Sequence, residues 1–364
     1  MKRQKLLVVC PFPVNEVPGQ RLKYEQYFDS WKEAGFDITV KSFISEKFMR
    51  ILYQPGNIHL KFLYTLAGYF NRIKLLFSIR KFDLVYSFLW VTPFGPPVFE
   101  SLLASLSKKL IYDIDDLVFL KHESKANRFI SFLKGKSKPI YLMKQADHVI
   151  TCTPYLDEFV KQYNSNTTDI SSTVDTDSRY IPKNEFKNNH QLIIGWSGSH
   201  STSKYLYLLK EVLQDLAKEV DFKLIVMGDK TFQIEGVNIE AFEWKESIEI
   251  STLQRFDIGL YPLPFEEWVL GKSGLKAIQY MALGIPTIAT EIGTIHRVIS
   301  HTLNGYLIPE NNKLLWKKFI LDLMSDETLR KQIGHEARTK IVNEFSIKAN
   351  KDKYLEIFYR LIKS

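Results

Sequence analysis

Residues Leu270 to Gly293 read L-G-K-S-G-L-K-A-I-Q-Y-M-A-L-G-I-P-T-I-A-T-E-I-G and decide the fold. Apolar residues recur at three- and four-residue spacing from Leu275 to Ala282, which predicts an amphipathic helix. Gly284 and Pro286 end that helix, and residues 287–290 are predicted to form a short buried strand. A helix that leads into a buried strand is typical of a parallel α/β sheet.

The turn before this helix is a predicted anion site. Gly271 and Gly274 flank Lys272 and Ser273, and Leu275 begins the helix. The first backbone N–H groups of a helix lack intrahelical partners, and the helix dipole favours negative charge there. Lys272 adds a mobile point charge, which suits a phosphate better than a planar carboxylate. The alternative is a plain helix–strand crossover with a solvated lysine.

Length and composition predict a globular protein of two domains. The chain has 364 residues, of which 25% are charged and 45% hydrophobic. No apolar run reaches the roughly 18 residues of a membrane-spanning helix, and the first residues lack a signal-peptide pattern. Cys10 and Cys152 lie in apolar strand patterns, which indicates buried thiols in a reducing compartment. We therefore expect a cytoplasmic location.

The net charge of +8 limits the classes of binding partner that we expect. A positive protein suits nucleic acid, an anionic membrane surface or phosphorylated substrates. None of the common nucleic-acid signatures is present, so we expect no nucleic-acid partner. No Cys/His cluster has zinc spacing, so we expect no structural metal.

The first residues predict the start of a doubly wound parallel sheet. Strands are predicted at 5–10 and 37–43, with a loop to Gly19 and a helix over 20–34 between them. The dinucleotide fingerprint G-x-G-x-x-G is absent from this loop.

Residues 49–82 combine many aromatic and aliphatic side chains with basic ones, and no acidic residue interrupts them before Asp83. Such a stretch suits adsorption onto anionic lipid headgroups. The protein would then be a peripheral one on the inner face of the cytoplasmic membrane. The alternative is a pair of core helices whose lysine stems lie along the surface.

Carboxylates follow the predicted buried strand at 109–119. Asp115 and Asp116 would lie at a carboxyl end of the sheet, where open α/β sheets bind ligands. They are predicted either to bind acceptor hydroxyls or to cap the following turn. A metal-binding Asp-x-Asp role is disfavoured because the nucleotide-binding context for it is missing. A further strand is predicted at 146–153, where His148 is interpreted as structural.

A second domain is predicted after a polar linker at 182–189. A strand at 191–197 leads into a small-residue loop and a helix, whose amides and hydroxyls suit a diphosphate, unless the serines only cap the helix. The candidate ligand-binding residues here are Gly195, Ser197, Gly198, Ser199 and Ser201. Strands are also predicted at 222–228 and at 239–244, and Gly228 and Trp244 at their ends are further candidates for contact with the ligand. Helices are predicted at 311–335 and 336–345, and an amphipathic one at 349–364.

The run Gln279-Tyr-Met-Ala-Leu-Gly-Ile-Pro286, with Ala289-Thr-Glu-Ile-Gly293, resembles the donor-site motif of family 4 (group 1) retaining glycosyltransferases. Most members carry two glutamates here, one for the sugar and one for the ribose. This chain has Gly271 and Gln279 instead, and it is more similar to a sub-pattern with Lys272, Lys276, Gln279 and Tyr280. The Gly-Trp-x-Gly-Ser run from Gly195 is also similar to that sub-pattern.

The resemblance implies a GT-B architecture: two facing Rossmann-like domains, an interdomain cleft and a terminal helix that crosses back to the first domain. The implied domains are 1–185 for the acceptor, 186–345 for the nucleotide sugar and 346–364 for the returning helix. It implies that Gly19 and Arg21 contact phosphate or acceptor, although Arg21 also fits an ordinary first-turn helix charge. Glu266 or Glu267 is a candidate to replace the missing sugar-contacting glutamate; the alternative is that both are solvated loop charges.

The implied reaction is metal-independent hexosyl transfer, with retention, from a nucleotide diphosphate sugar to a hydroxyl. The acceptor is expected to be a lipid-linked glycan or a surface polysaccharide precursor, and the sugar nucleotide is a substrate, so no cofactor is expected. Lys272 with the amides from Ser273 to Leu275 would hold phosphate, and Gln279 would hold the ribose. Lys276 is a further donor-site residue. Two alternatives remain: a non-catalytic module that binds glycan or nucleotide, and a sugar-nucleotide mutase or epimerase.

Overall fold

The chain forms two compact units in a computed structural model that describes residues 3–117, 137–183 and 191–364. Unit 1 comprises Met1–Ser172 with Asn350–Ser364, and unit 2 comprises Thr173–Ala349. Each unit holds a six-stranded sheet whose strands pair in parallel, which confirms the predicted α/β class. The end of the predicted strand at 118–119 and most of the predicted linker at 182–189 lie outside the described residues.

The strands are short and mostly buried, as expected for parallel sheets. They are Gln4–Cys10 (β1), Phe36–Ser42 (β2), Leu84–Phe88 (β3), Leu110–Asp113 (β4), His148–Thr151 (β5), Thr167–Asp169 (β6), Leu192–Ser197 (β7), Phe222–Met227 (β8), Ile239–Phe242 (β9), Ile258–Tyr261 (β10), Thr287–Thr290 (β11) and Tyr306–Ile308 (β12).

The described α-helices connect these strands. They are Pro18–Arg21 (α1), Phe28–Glu33 (α2), Glu46–Leu52 (α3), Ile58–Leu76 (α4), Val98–Leu106 (α5), Ser137–Gln145 (α6), Pro154–Lys161 (α7), His200–Ser203 (α8), Lys210–Glu219 (α9), Glu246–Leu253 (α10), Leu275–Ala282 (α11), Lys313–Ser325 (α12), Glu327–Glu344 (α13) and Ile347–Lys363 (α14).

The strand order of unit 2 fixes where its ligand edge lies. The order is β12-β11-β10-β7-β8-β9, so the chain runs outward from β7 through β8 and β9 and then crosses back to β10 on the other side of β7. The β7–β10 pair is therefore the topological switch point. Ligands of open α/β sheets bind outside the carboxyl ends of the strands at such a point.

Unit 1 has the strand order β2-β1-β3-β4-β5-β6, and its core includes one face of helix α14. On α14, Tyr354 and Phe358 lie fully buried, with ring centres 5.4 Å and 4.8 Å from that of Trp31. Ile357 and Leu361, one turn apart, are buried on the same helix. Both cysteines are buried, as the strand patterns predict.

The helix predicted over 20–34 is broken, and buried polar side chains explain the break. It consists of α1, a 3₁₀ turn and α2. In the turn after α1, Lys23 donates a hydrogen bond of 2.9 Å to the carbonyl of Thr151. Within α1, Gln20 donates one of 2.9 Å to Glu25 of the 3₁₀ turn. These contacts hold the turn against the sheet, and an apolar-period reading cannot anticipate them.

Two other boundaries differ from the sequence prediction. The helix break predicted at 335/336 lies instead at Asp326, whose carboxylate accepts the Leu329 N–H at 2.9 Å and caps α13. The family resemblance implies that a strand at 171–180 ends the first domain, whereas the last strand of unit 1 in the structure lies earlier, as β6. Asp169 has few apolar neighbours in sequence, so its segment carries little strand signal.

Candidate functional site

The loop after β7 lies tightly against the loop after β8. The N–H of Gly198 donates to the carbonyl of Met227 at 2.9 Å, and a Cβ atom at Gly228 would lie 1.8 Å from the carbonyl oxygen of Gly198. Gly228 also has a φ of +118°, which only glycine adopts readily. Glycine is therefore required at Gly228 for this close approach, whatever contact with a donor it also makes.

Lys276 places its ammonium group at the switch point of unit 2. The Nζ atom lies 4.4 Å from the ring centre of Trp196 at the end of β7 and 5.6 Å from that of Tyr261 at the end of β10. A Cβ atom at Gly198 would lie 2.8 Å from this Nζ. The lysine of the predicted helix thus meets the predicted small-residue loop.

The ammonium of Lys276 is held by aromatic faces rather than by a carboxylate. In residues 3–117, 137–183 and 191–364, no acidic group pairs with it. Burial lowers the pKa of Lys276 to about 7, and the neighbouring positive charge of Lys272 lowers it further in the same direction. A desolvated, unneutralised cation of this kind favours the approach of an anion.

Lys272 precedes the helix that carries Lys276, in the turn before its N-cap. Its side chain is half-buried, and its Nζ lies 5.4 Å from the ring centre of Trp268. Gly274 occupies the N-cap of α11 with a φ of +77°, and no side chain caps the helix start. The helix N-terminus and two lysines therefore bring positive charge to the start of α11, a setting that favours an anion; the phosphate contact stays a prediction.

The serines of the β7 loop have partners within the protein. The hydroxyl of Ser197 lies 2.9 Å from the hydroxyl of Tyr280. The Tyr280 hydroxyl also accepts a hydrogen bond from the Ser197 N–H at 2.7 Å. Ser199 and Thr202 form a capping box at α8, and the hydroxyl of Ser201 lies 2.9 Å from that of Ser199. The contacts of Ser199 fit the capping alternative, while the phosphate role of this loop stays a prediction.

Asp229 is a site residue that the sequence reasoning missed. It accepts the hydroxyls of Ser203 at 2.5 Å and Thr231 at 2.6 Å, and it lies 3.1 Å from Nδ1 of the exposed His200. Burial opposes ionisation, but these hydrogen bonds hold the pKa of Asp229 well below its usual range. Its fixed charge orders the loops that follow β7 and β8.

A buried carboxylate, also missed, joins two predicted donor residues. Glu249 accepts hydrogen bonds from Trp244 Nε1 at 3.1 Å and from Gln279 Nε2 at 3.2 Å. The same Gln279 amide donates to the Tyr180 hydroxyl at 2.7 Å, and Arg179 donates to Glu249 at 3.2 Å. We call Glu249, Trp244, Gln279, Tyr180 and Arg179 the Glu249 network.

No local sequence signal distinguishes Glu249 from its acidic neighbours. Its partners Gln279 and Arg179 lie 30 and 70 positions away in the chain, so only the tertiary fold reveals the contact. Gln279 is itself buried, which fixes its amide orientation; its ribose contact stays a prediction.

The Glu249 network gives a testable expectation for donor binding. Changing Glu249 to Gln removes the charge that orients Gln279 and Trp244, so we expect KM for the donor to rise by about tenfold, with a smaller change in kcat. Glu235, an exposed glutamate of the same unit outside this network, is changed to Gln as the control. Steady-state kinetics of both variants distinguish the two sites, and equal KM values in both would contradict the role of the network.

The remaining predicted residues of unit 2 lie in different settings. Gly195 is buried inside β7, where a Cβ would lie 2.1 Å from the Phe256 ring, so the structure gives it a packing reason. Gly271 is buried, and Ser273 is half-buried. Glu266 is exposed and accepts a hydrogen bond from the indole N–H of Trp268. The next residue, Glu267, is also exposed.

The predicted acceptor residues of unit 1 lie near the end of β4. Asp115 is half-buried, and a Cβ at Gly19 would lie 3.3 Å from its Oδ2, so these two residues are neighbours. Asp116 accepts the Leu117 N–H at 2.8 Å, which fits the turn-capping alternative. Arg21 is buried.

Asp113, just before them, belongs to the interior of unit 1. It is fully buried, accepts the hydroxyl of Tyr86 and lies 3.5 Å from the ammonium of Lys23. Burial raises the pKa of Asp113 to about 6, against the opposing effect of Lys23. His148 is likewise internal, 2.9 Å from the Thr168 hydroxyl, and burial lowers its pKa to about 4.

Two findings concern metals and membranes. No group of three or more His, Cys, Asp or Glu side chains suited to a metal ion occurs among the described residues. In the same part of the chain, no helix has the length and apolar character needed to cross a bilayer.

Comparison with known sequences finds similarity to glycosyltransferases over part of the chain. Residues 177–340 match the family model of glycosyl transferases group 1, which supports the predicted group over that part of the chain. The N-acetyl-alpha-D-glucosaminyl L-malate synthase of Bacillus anthracis is 28% identical over 167 residues, 43% of this chain and 42% of that relative. The capsular polysaccharide biosynthesis glycosyltransferase CapM of Staphylococcus aureus is 25% identical, over 43% of each chain.

Comparison with solved structures defines the fold. A glycosyltransferase from Rickettsia africae superposes with a TM-score of 0.72 at 17% identity, over 100% of both chains. HepE from Anabaena, in complex with UDP-glucose, superposes with a TM-score of 0.65 at 15% identity, over 98% of this chain and 100% of that one. The fold is therefore GT-B, as predicted.

Proposed function

We propose that this chain is a retaining glycosyltransferase that moves a hexosyl group from a nucleoside diphosphate sugar to a hydroxyl acceptor. The observation that carries the proposal is the Lys276 ammonium at the β7–β10 switch point, with Lys272 and the uncapped helix start beside it. The match to group 1 glycosyltransferases and the nucleotide-sugar complex of a structural neighbour support the same class.

The donor diphosphate is proposed to lie over the start of α11, between Lys272, Lys276 and the loop after β7. Two cations and the helix dipole would offset the charge that the diphosphate brings. The Glu249 network is proposed to lie on the nucleoside side, where Gln279 contacts the ribose and Trp244 borders the base. Both residues are held by hydrogen bonds to Glu249, so the surface they present is preorganised.

Catalysis is proposed to come mainly from electrostatic stabilisation of the leaving group. As the bond from the anomeric carbon to the diphosphate oxygen breaks, negative charge grows on that oxygen. Well-placed donors at such a position contribute about 3 kcal/mol each to transition-state stabilisation. The departing phosphate oxygen then takes the proton of the attacking acceptor hydroxyl, which enters on the same face. We propose that the lysine ammonium groups supply the charge neutralisation that metal ions supply in other transferases.

The acceptor is proposed to be a lipid-linked glycan or another precursor of a surface polysaccharide, at the cytoplasmic face of a membrane. One relative is named for capsular polysaccharide biosynthesis, which favours this class. Asp115, next to Gly19 in unit 1, is the proposed contact for an acceptor hydroxyl, because it is half-buried beside the loop after β1.

The direct test is a donor screen followed by product analysis. Purified protein is incubated with UDP-, GDP-, ADP- and dTDP-sugars, and release of nucleoside diphosphate is measured with and without candidate hydroxyl acceptors. Proton NMR of the product then reports the anomeric configuration. Retention supports the proposal. Inversion, or a product that is still nucleotide-linked, would overturn it in favour of another class.

Replacing Lys272 with alanine tests the neighbouring charge. We expect kcat/KM for the donor to fall at least about tenfold, because one decade corresponds to about 1.4 kcal/mol of lost transition-state stabilisation. The exposed Lys218, which pairs with Asp215 on α9, is the matched control for loss of a lysine. Turnover of Lys272→Ala equal to that of Lys218→Ala would refute the assigned role.

A further inference from the structure

Helix α4 in unit 1 is fixed to the sheet by one face. On that face Arg72 is buried and donates to the carbonyls of Cys10 at 2.9 Å, Lys41 at 2.8 Å and Val91 at 2.9 Å. Gly68, one turn earlier, lies against the ring of Phe43 so closely that a Cβ would be 2.7 Å from it. These contacts set the rotation of α4 about its own axis.

The opposite face of α4 carries a continuous row of large apolar side chains in solvent. We call it the apolar stripe, and all its members are 44–86% exposed: Phe62, Leu63, Leu66, Phe70, Ile73 and Phe77. At about 3.6 residues per turn they fall within an arc of about 100° on the helix surface. Single exposed hydrophobic residues are ordinary, but a contiguous stripe over four turns indicates an interaction surface.

The charged side chains of the segment that carries the apolar stripe are all basic. The sequence has no acidic residue from Lys47 through Phe82. Arg50, Lys74, Arg80 and Lys81 are exposed, and the Lys74 ammonium lies 4.4 Å from the ring centre of Phe70. The lysine stem can lie along the apolar stripe while its ammonium group contacts an anionic surface. The stripe itself can then enter an apolar layer beneath that surface.

We propose that the apolar stripe docks onto an anionic lipid bilayer, with α4 lying in the plane of the headgroups. A bilayer offers hydrocarbon for the stripe and negative headgroups for the flanking cations, which is the complement of this surface. A second copy of the chain fits less well, because two apposed stripes would bring like charges together. The sequence left open whether residues 49–82 meet a membrane or pack as core helices. The structure divides these roles between the two faces of α4.

Vesicle co-sedimentation tests the proposal with the full chain. The protein is mixed with vesicles of phosphatidylcholine alone, and with vesicles of equal parts phosphatidylcholine and phosphatidylglycerol, at low and high salt. We expect binding to the mixed vesicles that weakens with salt, since each basic side chain near the surface contributes about fivefold. Equal binding to both vesicle types, or none to the mixed vesicles, would overturn the proposal.

Matched variants locate the contact. Phe62→Asp combined with Phe70→Asp should lower partitioning at least about tenfold, because apolar area and charge both change unfavourably. Leu303→Asp with Leu314→Asp, at exposed apolar positions of unit 2, should bind like the unmodified protein. Unchanged thermal melting would show that the stripe variant is folded. Vesicle binding of the stripe variant equal to that of the control would contradict the assignment.

Sedimentation velocity without lipid tests whether a second copy of the chain, rather than lipid, covers the apolar stripe. A dimer that the stripe variant dissociates would mean that a second copy covers the stripe, and the lipid proposal would fall. The expected result is the same sedimentation coefficient for both proteins. These readouts need no sugar donor, so they succeed or fail independently of the proposed transferase activity.

Discussion

Replacing Lys276 with methionine is expected to lower kcat/KM for the donor by about 100- to 1000-fold, the effect of removing one well-placed charged donor from a leaving-group site. Methionine keeps an unbranched apolar stem against Trp196 and Tyr261 and removes only the charge, so the site should stay packed. The measurement is steady-state kinetics with saturating acceptor. Lys218→Met, on the exposed surface of the same unit, is the control.

The pH profile of the same pair of proteins makes this expectation specific. Since the pKa of Lys276 is lowered to about 7, its ammonium form is lost in the free enzyme as the pH rises through that value. An anionic donor needs the ammonium form, so kcat/KM of the unmodified protein should decline above about pH 7. The Lys276→Met profile should lack this decline. A decline that persists in the variant would assign it to another group.

The change Gly228→Ala is expected to cost about 3 kcal/mol or more in the free energy of unfolding. An alanine there must adopt a φ of +118° and place its Cβ 1.8 Å from the carbonyl oxygen of Gly198, so the two loops must separate. Because the Gly198 loop borders Lys276, loss of donor binding should accompany the loss of stability.

Gly236 is the matched control for this change. It too has a positive φ, of +78°, but a Cβ there would meet nothing within 4 Å. Gly236→Ala should therefore cost only about 1 kcal/mol, the penalty for the backbone conformation alone. Chemical denaturation of both variants measures the difference. Equal destabilisation would show that loop contact at Gly228 is unimportant.

The sequence was sufficient for the parts of this fold that depend on local patterns. The run from Leu275 to Thr290 combines helical periodicity, a glycine stop, a proline and a buried strand, and all four agree with α11 and β11. Apolar strands such as β1 and β8 were predicted to within a residue or so for the same reason. Where buried polar residues determine the path of the backbone, as at Gln20 and Lys23, the structure has a broken helix instead of the continuous one predicted.

The candidate site divides in the same way. The start of α11 could be predicted because its glycines and lysines lie close together in the sequence and form a short motif. The Glu249 network and the Asp229 cluster depend on residues brought together by the sheet, and no local pattern marks them. The strongest geometric feature, Lys276 between Trp196 and Tyr261, also depends on strand order, because those aromatic residues end the two strands of the switch point.

Calorimetric titration tests most directly whether the Lys272–Lys276 corner of unit 2 receives a diphosphate. The nucleoside diphosphate selected in the donor screen and its parent nucleoside are each titrated into the unmodified protein and into the Lys272→Ala, Lys276→Met double variant. We predict that the unmodified protein prefers the diphosphate by at least about 100-fold, some 2.7 kcal/mol, and that the double variant loses this preference while it still binds the nucleoside. A double variant that keeps the full preference would show that the diphosphate binds elsewhere, and the account would be wrong.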